Sequence, residues 1–376
     1  MTLTSSAPRR LTVLELDTER GWRGGERQAL WYAEELQRRG HRALIGARPG
    51  EPLAQKAAAV GLEVVPCAPR GEFAPIAARA LRRVLRREHV DVLHAHTAHA
   101  VALGALATRG TDTKFVITRH VDFRLRRNWG TRWKYGRADA LLAISEAARQ
   151  AMIASGVDPA RVQVVRGGTD QTREIPAAPR DCLAALGVPA KAPLVVQVSQ
   201  HVQHKDPLTF VRAIDAARRL IPGVQALLVG DGPLRPAVER EVAARGLRDV
   251  LHVVGYRSDA DALLAAADVV TLSSEADALP SVLFDALYLG IPIVATAGGG
   301  IPEIIEHDVS GLVVPVADGE AMGRAIAAVV SDPALARRLS EGARARAPEF
   351  SIARSVDRTL EVYARILGAR PGGGAR

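Results

Sequence analysis

The stretch PLVVQVSQHVQHKDPLTFVRAI, Pro193–Ile214, joins a short apolar run to a helix-like segment through a polar loop. The same alternation of apolar runs and amphipathic segments continues in both directions along the chain. It is the pattern of a parallel β-sheet with crossover helices, and it predicts an α/β protein. The other apolar runs are, in chain order, LTVLEL, RALIGA, LEVVPC, VDVLHAH, FVITRH, ALLAIS, VQVVRG, QALLVGDG, DVLHVVG, DVVTLSS, IPIVATA and SGLVVPV.

The quoted stretch also marks where the alternation of apolar runs and amphipathic segments restarts, after the proline-bearing segment EIPAAPRD, Glu174–Asp181. A chain of 376 residues exceeds the roughly 250–300 residues that one hydrophobic core fills. We therefore predict two doubly wound α/β domains, at 1–176 and 177–351, joined by a linker near Glu174–Pro179.

The formal charge of +9 is unevenly distributed. Residues 1–176 contain 29 Lys and Arg against 18 Asp and Glu, whereas residues 177–376 contain 21 against 23. A basic partner surface is therefore expected in the first half. No apolar run reaches the ~18 residues of a spanning helix, and the opening lacks the regions of a signal peptide, so a cytoplasmic protein is expected. Cys67 and Cys182 fit no metal or CxxC spacing.

Two loops after predicted strands could receive a phosphate, since ligands of open α/β sheets bind beyond the carboxyl ends of the strands. Gly24 and Gly25 precede a helix, where a phosphate could approach the backbone amides. Lys205 lies between a strand and a helix, where its charge could neutralise a phosphate. The alternatives are two glycines that serve only the local turn and a solvated lysine.

The segment EADALPSVLFDALYLGIPIVATAGGGIPE, Glu275–Glu303, contains another helix start. Pro280 suits the first helical turn, where its missing N–H is not needed. The amides of Ser281, Val282 and Leu283 would then be free donors for an anion. The triple glycine after the next strand would expose backbone to a ligand or simply form a turn.

Two carboxylates flank this helix start, eight positions apart. Asp277 precedes the helix and Asp285 lies inside it, so both could accept hydrogen bonds from the hydroxyls of a sugar or a ribose. A phosphate-binding helix end with two such carboxylates describes a sugar-nucleotide site. The alternative is an acidic residue at a favourable helix N-terminus, with Asp285 facing solvent.

The run DALPSVLFDALYLGIPIVATAGGGIPE resembles the donor site of the retaining GT-B glycosyltransferases of family 4. There a run like E-G-x-P-x-x-x-x-E precedes G-x-P-V-V-A-T-x-x-G-G-x-P-E. The resemblance covers almost the whole chain, through GGE, DVLHAHTAHA, FVITRHVDF, ADALLAISEAAR, VRGGTD, HKDPLTFVRAI, LLVGDGPLRPAVE and VLHVVGY. It implies two Rossmann-like domains that face each other across a cleft, and a final helix at about 352–368 that returns to the first domain.

The resemblance also implies roles for single positions. His120 would face the transferred sugar, Lys205 would neutralise the diphosphate, and Asp277 would contact sugar hydroxyls; these are the predicted catalytic residues. Asp285 would receive the ribose hydroxyls. The predicted donor-binding residues are Gly24, Gly25, Gln200, Lys205, Gly255, Tyr256, Arg257, Asp277, Leu279, Pro280, Ser281, Val282 and Asp285.

The implied reaction is the transfer of a sugar from a nucleoside-diphosphate sugar to a saccharide or lipid-linked acceptor in cell-envelope glycan synthesis, with retention of the anomeric configuration. The leaving phosphate would take the proton of the acceptor. No cofactor and no metal is expected, because the lysine and the helix amides would replace a metal.

Two departures from the family pattern keep other functions open. Gln200 stands where the family often has an arginine, and both family glutamates are aspartates here. Glu275 could compensate for the shorter Asp277. A noncatalytic sugar-nucleotide-binding homologue and a sugar-nucleotide epimerase of similar fold are the alternatives. A nucleic-acid binder is opposed by the lack of any recognition module.

The histidines of HAHTAH, His94, His96 and His99, raise a metal hypothesis. No acidic or cysteine residue is adjacent, and the resembled family uses this segment to line the cleft, so no metal site is predicted. Asp259 and Asp261 open a helix after VVGYR, where N-terminal capping is the expected role.

The segment RHVDFRLRRNWGTRWKYGR interleaves basic and aromatic residues. Such a segment suits an anionic membrane surface or an acidic acceptor, single-stranded nucleic acid, or a solvated face. Because the first domain of the resembled enzymes binds the acceptor, we predict a phosphorylated or lipid-linked acceptor at the inner face of the cytoplasmic membrane. The residues of this predicted acceptor or membrane patch are His96, Arg119, Arg124, Arg126, Arg127, Trp129 and Trp133.

Overall fold

The computed structural model of the protein describes residues 9–69, 71, 74–126, 128–174 and 179–368. Its contacts divide the chain into two compact units. Unit 1 comprises the described residues up to Ile144, Ala148–Gly167 and those from Ile352 onward, and unit 2 comprises Ser145–Ala147 and Gly168–Ser351. The division after Gly167 comes earlier than residue 176, because the residues that follow hydrogen-bond within unit 2. Residues 175–178, in the expected linker, lie outside the described residues.

Unit 1 is built on seven parallel strands: β1 (Thr12–Leu16), β2 (Arg42–Ala47), β3 (Glu63–Pro66), β4 (Val92–Ala95), β5 (Lys114–Arg119), β6 (Ala140–Ala143) and β7 (Val162–Val164). They form one sheet in the order β3-β2-β1-β4-β5-β6-β7. The helices between them are α1 (Gly24–Arg38), α2 (Pro52–Ala59), α3 (Pro75–Arg87), α4 (Ala98–Ala107), α5 (Trp129–Gly136) and α6 (Glu146–Ala154), which begins within unit 2.

Unit 2 has six parallel strands: β8 (Leu194–Val198), β9 (Gln225–Val229), β10 (Leu251–Gly255), β11 (Val269–Leu272), β12 (Ile293–Thr296) and β13 (Leu312–Val314). Their order in the sheet is β10-β9-β8-β11-β12-β13. The helices of this unit are α7 (Pro207–Arg218), α8 (Arg235–Ala244), α9 (Ala260–Ala265), α10 (Ser281–Leu289), α11 (Ile301–Ile304), α12 (Gly319–Ser331) and α13 (Pro333–Arg346).

Both sheets are covered by helices, which explains why their central strands read as continuous apolar runs rather than alternating ones. In each sheet the direction of chain progress reverses beside the first strand, between β1 and β4 and between β8 and β11. Ligands of doubly wound sheets bind at the carboxyl ends of the strands at this switch point. A ligand site is therefore expected at the residues that directly follow β1, β4, β8 and β11.

The last helix, α14 (Ile352–Gly368), belongs to unit 1 although the chain reaches it from unit 2. It packs beside α1, and its buried side chains Ile352, Val356, Val362 and Tyr363 join the core of the first sheet. Tyr32 of α1 shares a hydrogen bond with Ser355. Unit 1 thus depends on both ends of the chain for its core.

The helices present polar outer faces. α3 buries Ala78, Leu81 and Leu85 and exposes most of its arginines. Arg82 is the inward exception, since its guanidinium donates to the carbonyls of Leu106 and Ala107. No helix within the described ranges is long and apolar enough to cross a bilayer.

Candidate functional site

Lys205 of unit 2 forms an ion pair with Asp277, as the side chains meet from two neighbouring loops. Lys205 ends the short turn Gln203–Lys205 after β8, and the amide of Glu275 donates to the carbonyl of His204 at 2.9 Å. The two charged side chains are 18% and 12% exposed. The structure therefore brings together two of the three residues predicted to be catalytic, with enough exposure to meet a ligand.

The triple glycine holds the Asp277 loop by close backbone packing. The amide of Gly300 donates to the carbonyl of Asp277 at 2.7 Å. A Cβ on Gly298, Gly299 or Gly300 would lie 2.3, 2.4 or 2.0 Å from a backbone oxygen of that loop, far inside van der Waals contact. These glycines are therefore required by the packing of unit 2, in addition to any role they have toward a ligand.

The start of α10 differs slightly from the prediction. Pro280 is the N-cap residue, with an extended ψ of 116°, and the helix begins at Ser281. The Leu283 amide donates to the Pro280 carbonyl at 3.1 Å. The prediction that Leu283 is a free donor was therefore wrong, because a proline at the N-cap still offers its carbonyl to the first turn. Val282 lies in that first turn. Leu279, the residue before Pro280, is buried.

Asp285 lies in the second turn of α10, as predicted, but it does not face solvent. Only 1% of it is exposed, and the Thr169 hydroxyl donates to its Oδ1 at 2.6 Å. A guanidinium nitrogen of Arg173 is 3.0 Å from the same oxygen, and this side chain also lies over the ring of Tyr288. A ribose hydroxyl would thus have to share Asp285 with an arginine that the sequence did not single out.

Three of the predicted donor-binding residues, Gly255, Tyr256 and Arg257, lie at the end of β10 and just after it. Gly255 ends the strand with a φ of +71°, and the guanidinium of Arg235 would lie 2.9 Å from a Cβ placed there. Tyr256 is exposed, whereas Arg257 pairs with the carboxylate of Asp259 at 2.6 Å. Asp259 is the N-cap residue of α9 but makes no side-chain cap bond, so the capping prediction was wrong. The Asp259 carboxylate pairs with the guanidinium of Arg257 instead.

The loop between β8 and Lys205 contains Gln200 and His201. Gln200, where the family often has arginine, is exposed. His201 is fully buried, and within the described residues neither of its ring nitrogens has a hydrogen-bond partner. Burial lowers the pKa of His201. His201 was not among the predicted site residues. Its position shortly after the central strand β8 was the sequence signal that could have found it.

In unit 1 a chain of hydrogen bonds joins Glu15, His96 and His120. Glu15 is in β1, His96 directly follows β4, and His120 directly follows β5. His96 Nε2 is 2.6 Å from Glu15 Oε2, and His96 Nδ1 is 2.9 Å from His120 Nε2. Because β1, β4 and β5 are neighbours in the sheet, residues distant in sequence meet at one edge.

His94 and Tyr363 complete this cluster. His94 Nδ1 is 2.7 Å from the Tyr363 hydroxyl, and its Nε2 is 2.6 Å from the Thr118 hydroxyl. Burial alone would raise the pKa of Glu15, but His94 and His96 bring it down to about 2. Burial lowers the pKa of His96, and lowers the pKa of His120 to well below 6.5, with His96 adding to the shift at His120.

The three predicted histidines of HAHTAH do not form one cluster. His99 instead approaches Glu19, at 3.4 Å. Atoms of Glu15, His94 and His96 lie within 4.8 Å of one another, a donor set that could hold a metal ion. No acidic residue is adjacent to these histidines in the sequence, but β1 brings Glu15 to His94 and His96 in the fold. Both nitrogens of His94 and of His96 already have hydrogen-bond partners, so the cluster is complete as a hydrogen-bond network.

The glycine loop after β1 is the start of α1 itself. Gly24 and Gly25 are its first residues, and the Glu26 carboxylate accepts the amide of Arg23 at 2.8 Å. A Cβ on Gly25 would meet no atom within 4 Å, so the packing does not require glycine there. Nearby Asp17 is buried with Oδ2 unpaired in the described part of the chain. Asp17 lies outside every motif recognised in the sequence, although its position directly after β1 marks it as a candidate.

The predicted acceptor or membrane patch is only partly on the surface. Trp129 is 75% exposed and stacks on Trp133 with centroids 6.4 Å apart, and Arg124 and Arg126 are exposed. Arg119 turns back to donate to the Phe123 carbonyl at 2.5 Å. His96 is not part of this surface. Its side chain is buried in the histidine cluster, where it contacts Glu15 and His120. Arg127 lies outside the described residues.

Comparison with known proteins identifies the family. The models described as Glycosyltransferase Family 4 and Glycosyl transferases group 1 match residues 22–173 and 183–346. An alpha-maltose-1-phosphate synthase of Mycolicibacterium smegmatis is 30% identical, over 76% of this chain and 82% of its own. A D-inositol 3-phosphate glycosyltransferase of Saccharomonospora viridis is 31% identical, over 76% of this chain and 67% of its own.

The fold is shared with solved structures. HepE from Anabaena, solved in complex with UDP and glucose, superimposes with a TM-score of 0.82 at 22% identity, over 95% of this chain and 100% of that one. The strand order of the two sheets and the matches to the two family models lead to the same assignment. The chain belongs to the group 1 glycosyltransferases of family 4, and its two α/β units have the GT-B architecture.

Proposed function

We propose that this protein is a retaining glycosyltransferase that moves a sugar from a nucleoside-diphosphate sugar to a phosphorylated or lipid-linked saccharide acceptor of the cell envelope. The observation that carries the proposal is the partly exposed Lys205–Asp277 pair beside the start of α10. It supplies a positive charge for a diphosphate and a carboxylate for sugar hydroxyls in one place. Family membership and the phosphorylated compounds in the names of both relatives support it.

In this proposal Lys205 stabilises the negative charge that develops on the leaving diphosphate, which is the main catalytic task in such a transfer. Asp277 orients the sugar through its hydroxyls. The exposed Tyr256 borders the base, and Asp285 with Arg173 forms the ribose end. The leaving phosphate accepts the proton of the acceptor hydroxyl. Because the lysine and the helix amides meet the diphosphate charge, the reaction needs no metal, and a chelator should leave activity unchanged.

The noncatalytic homologue remains the second candidate, favoured by the occupation of Asp285 by Arg173 and Thr169. It predicts donor binding without turnover. The epimerase alternative predicts a changed nucleotide sugar without any acceptor, so analysis of the products separates the three functions.

A binding experiment tests the donor site. Nucleoside-diphosphate sugars are titrated calorimetrically into the native protein, Lys205→Ala and Lys191→Ala. Lys191 is an exposed lysine of the same unit outside the site, so its removal controls for the loss of one positive charge. We expect one donor to bind the native protein and Lys191→Ala alike, and Lys205→Ala at least tenfold more weakly, the scale of a lost charged hydrogen bond of about 1.5–3 kcal/mol. Equal weakening in both variants would contradict the proposed site.

A further inference from the structure

The turn that ends at Lys205 is bound by the segment that follows β11. The backbone amide of Glu275 donates to the carbonyl of His204 at 2.9 Å. The Ser273 hydroxyl lies 2.7 Å from the carbonyl oxygen of Asp206 and 3.2 Å from that of Lys205. Three successive carbonyls of this turn therefore face donors of one neighbouring segment, and one of these donors is a side chain.

The proton of the Ser273 hydroxyl has one preferred destination. Gln197 is fully buried in β8, and its Nε2 lies 3.0 Å from the Ser273 oxygen. A carbonyl can only accept a hydrogen bond, so the hydroxyl gives its single proton to Asp206, the nearer of the two carbonyls. The Gln197 amide must then donate to the hydroxyl. The hydrogen bonds thus run in one direction, from Gln197 through Ser273 to Asp206.

The backbone of Asp206 has a conformation that must be held in place. Its φ of +40° and ψ of +63° are left-handed, and residues other than glycine seldom adopt this region. Such a conformation persists where the surrounding contacts impose it. The Asp206 side chain accepts the amide of Thr209 at 3.0 Å, at the start of α7, and its carbonyl accepts the Ser273 hydroxyl. Asp206 is therefore fixed at both its side chain and its backbone, directly after Lys205.

We infer that Ser273 is a positioning residue, whose hydroxyl holds the Asp206 backbone and thereby keeps the ammonium group of Lys205 where a diphosphate binds. The first part concerns unit 2 alone and needs no ligand. The second part rests on the proposed function, which assigns the diphosphate to Lys205. Ser273 is fully buried, so it acts through the backbone of the turn and does not itself touch the ligand.

A purely structural role is the alternative, because a buried hydroxyl with two partners also satisfies the polar groups of the core. Removal of the hydroxyl would then lower stability without a particular effect on the turn. Ser310 provides the matched control. It is a fully buried serine of the same unit, and its hydroxyl oxygen accepts the amide of Glu306 at 3.0 Å, in the segment before β13.

Hydrogen exchange tests the first part without a ligand. The Asp206 amide donates to the carbonyl of Gln203 at 3.0 Å, so its exchange rate reports the opening of the turn. We expect Ser273→Ala to raise this rate roughly three- to tenfold, the scale of one lost hydrogen bond, and Ser310→Ala to leave it unchanged. Equal rates in the two variants would overturn the positioning role. If Ser273→Ala does not fold, Ser273→Cys, with its weaker S–H donor, should shift the rate in the same direction.

Calorimetric titration of the donor that binds tests the second part. We expect Ser273→Ala to bind this donor roughly three- to tenfold more weakly, Ser310→Ala to bind it like the native protein, and Ser273→Thr, which keeps the hydroxyl, to recover most of the affinity. The loss should disappear when Ser273→Ala is combined with Lys205→Ala, because no ammonium group is left to position.

Native affinity in Ser273→Ala, or an equal loss with and without the lysine, would overturn the link between Ser273 and the diphosphate. A structural role alone predicts the second of these results. Failure of all nucleoside-diphosphate sugars to bind the native protein would instead refute the proposed function and the second part with it, whereas the exchange rates decide the first part.

Discussion

Asp17 is a carboxylate that the fold buries directly after β1, and no cation in the described part of the chain pairs with it. Burial raises its pKa from 3.8 to about 7, and the neighbouring carboxylate of Glu26 adds to the shift. The folded state therefore binds this proton more tightly than the unfolded chain does. The stability that Asp17 contributes is full below pH ~4 and is lost as pH rises to about 7.

Asp17→Asn should remove this pH dependence. Three pKa units correspond to about 4 kcal/mol at ~1.4 kcal/mol per unit, so the variant should gain up to that amount over the native protein between pH 4 and pH 8. Denaturant unfolding across this range measures it. Asp112→Asn, at an exposed position of the same unit, should unfold like the native protein. Parallel pH profiles for native protein and Asp17→Asn would refute the assignment of a buried, protonated Asp17.

At the residue scale, the sequence singled out Lys205 and Asp277 as candidates because each follows a predicted strand, and the family resemblance added His120. It could not place Glu15 beside His96, which is 81 positions away. That contact depends on the register in which Leu16 pairs with Ala95. The ion pair between Arg173 and Asp285 could not be predicted from the sequence either. It depends on where the chain passes from one unit to the other.

At the scale of elements, the sequence predicted the alternation of strands and helices well, because buried parallel strands are continuous apolar runs. Helix starts were less certain: α10 begins one residue after the proline that was expected inside it. The triple glycine shows what a motif alone leaves open. Its glycines serve close packing of two loops, which only the three-dimensional structure reveals.

Gly299→Ala tests this packing. A Cβ there would lie 2.4 Å from the carbonyl oxygen of Asp277, at a φ of +58°, so the loop that carries Asp277 must shift. Overpacking of this kind costs roughly 1–3 kcal/mol, and donor affinity should fall with it. Gly223→Ala is the control, since Gly223 has a φ of +75° but no atom within 4 Å. If the two variants lost equal stability in denaturant unfolding, the close packing would not matter.

At the scale of the whole molecule, the excess of basic residues lies in the first half of the chain, and part of it is exposed beside Trp129. We expect unit 1 to bring the protein to anionic membranes. Arg124→Ala combined with Arg126→Ala should lower binding to phosphatidylglycerol vesicles roughly tenfold or more, at about 1 kcal/mol per charge. Leu220→Ala, an exposed apolar position of unit 2, should bind normally in co-sedimentation at moderate salt. Equal binding of native protein to neutral phosphatidylcholine vesicles would contradict the electrostatic surface.

We propose that the Lys205–Asp277 site transfers a sugar with retention of the anomeric configuration. Its most direct test is time-resolved proton NMR of the sugar released when the protein hydrolyses its bound donor without an acceptor. We expect the sugar to appear first in the anomeric configuration of the donor and then to mutarotate, and we expect Lys205→Ala to release none. First appearance of the opposite anomer would contradict retention, and no release by a protein that binds the donor would identify a noncatalytic homologue.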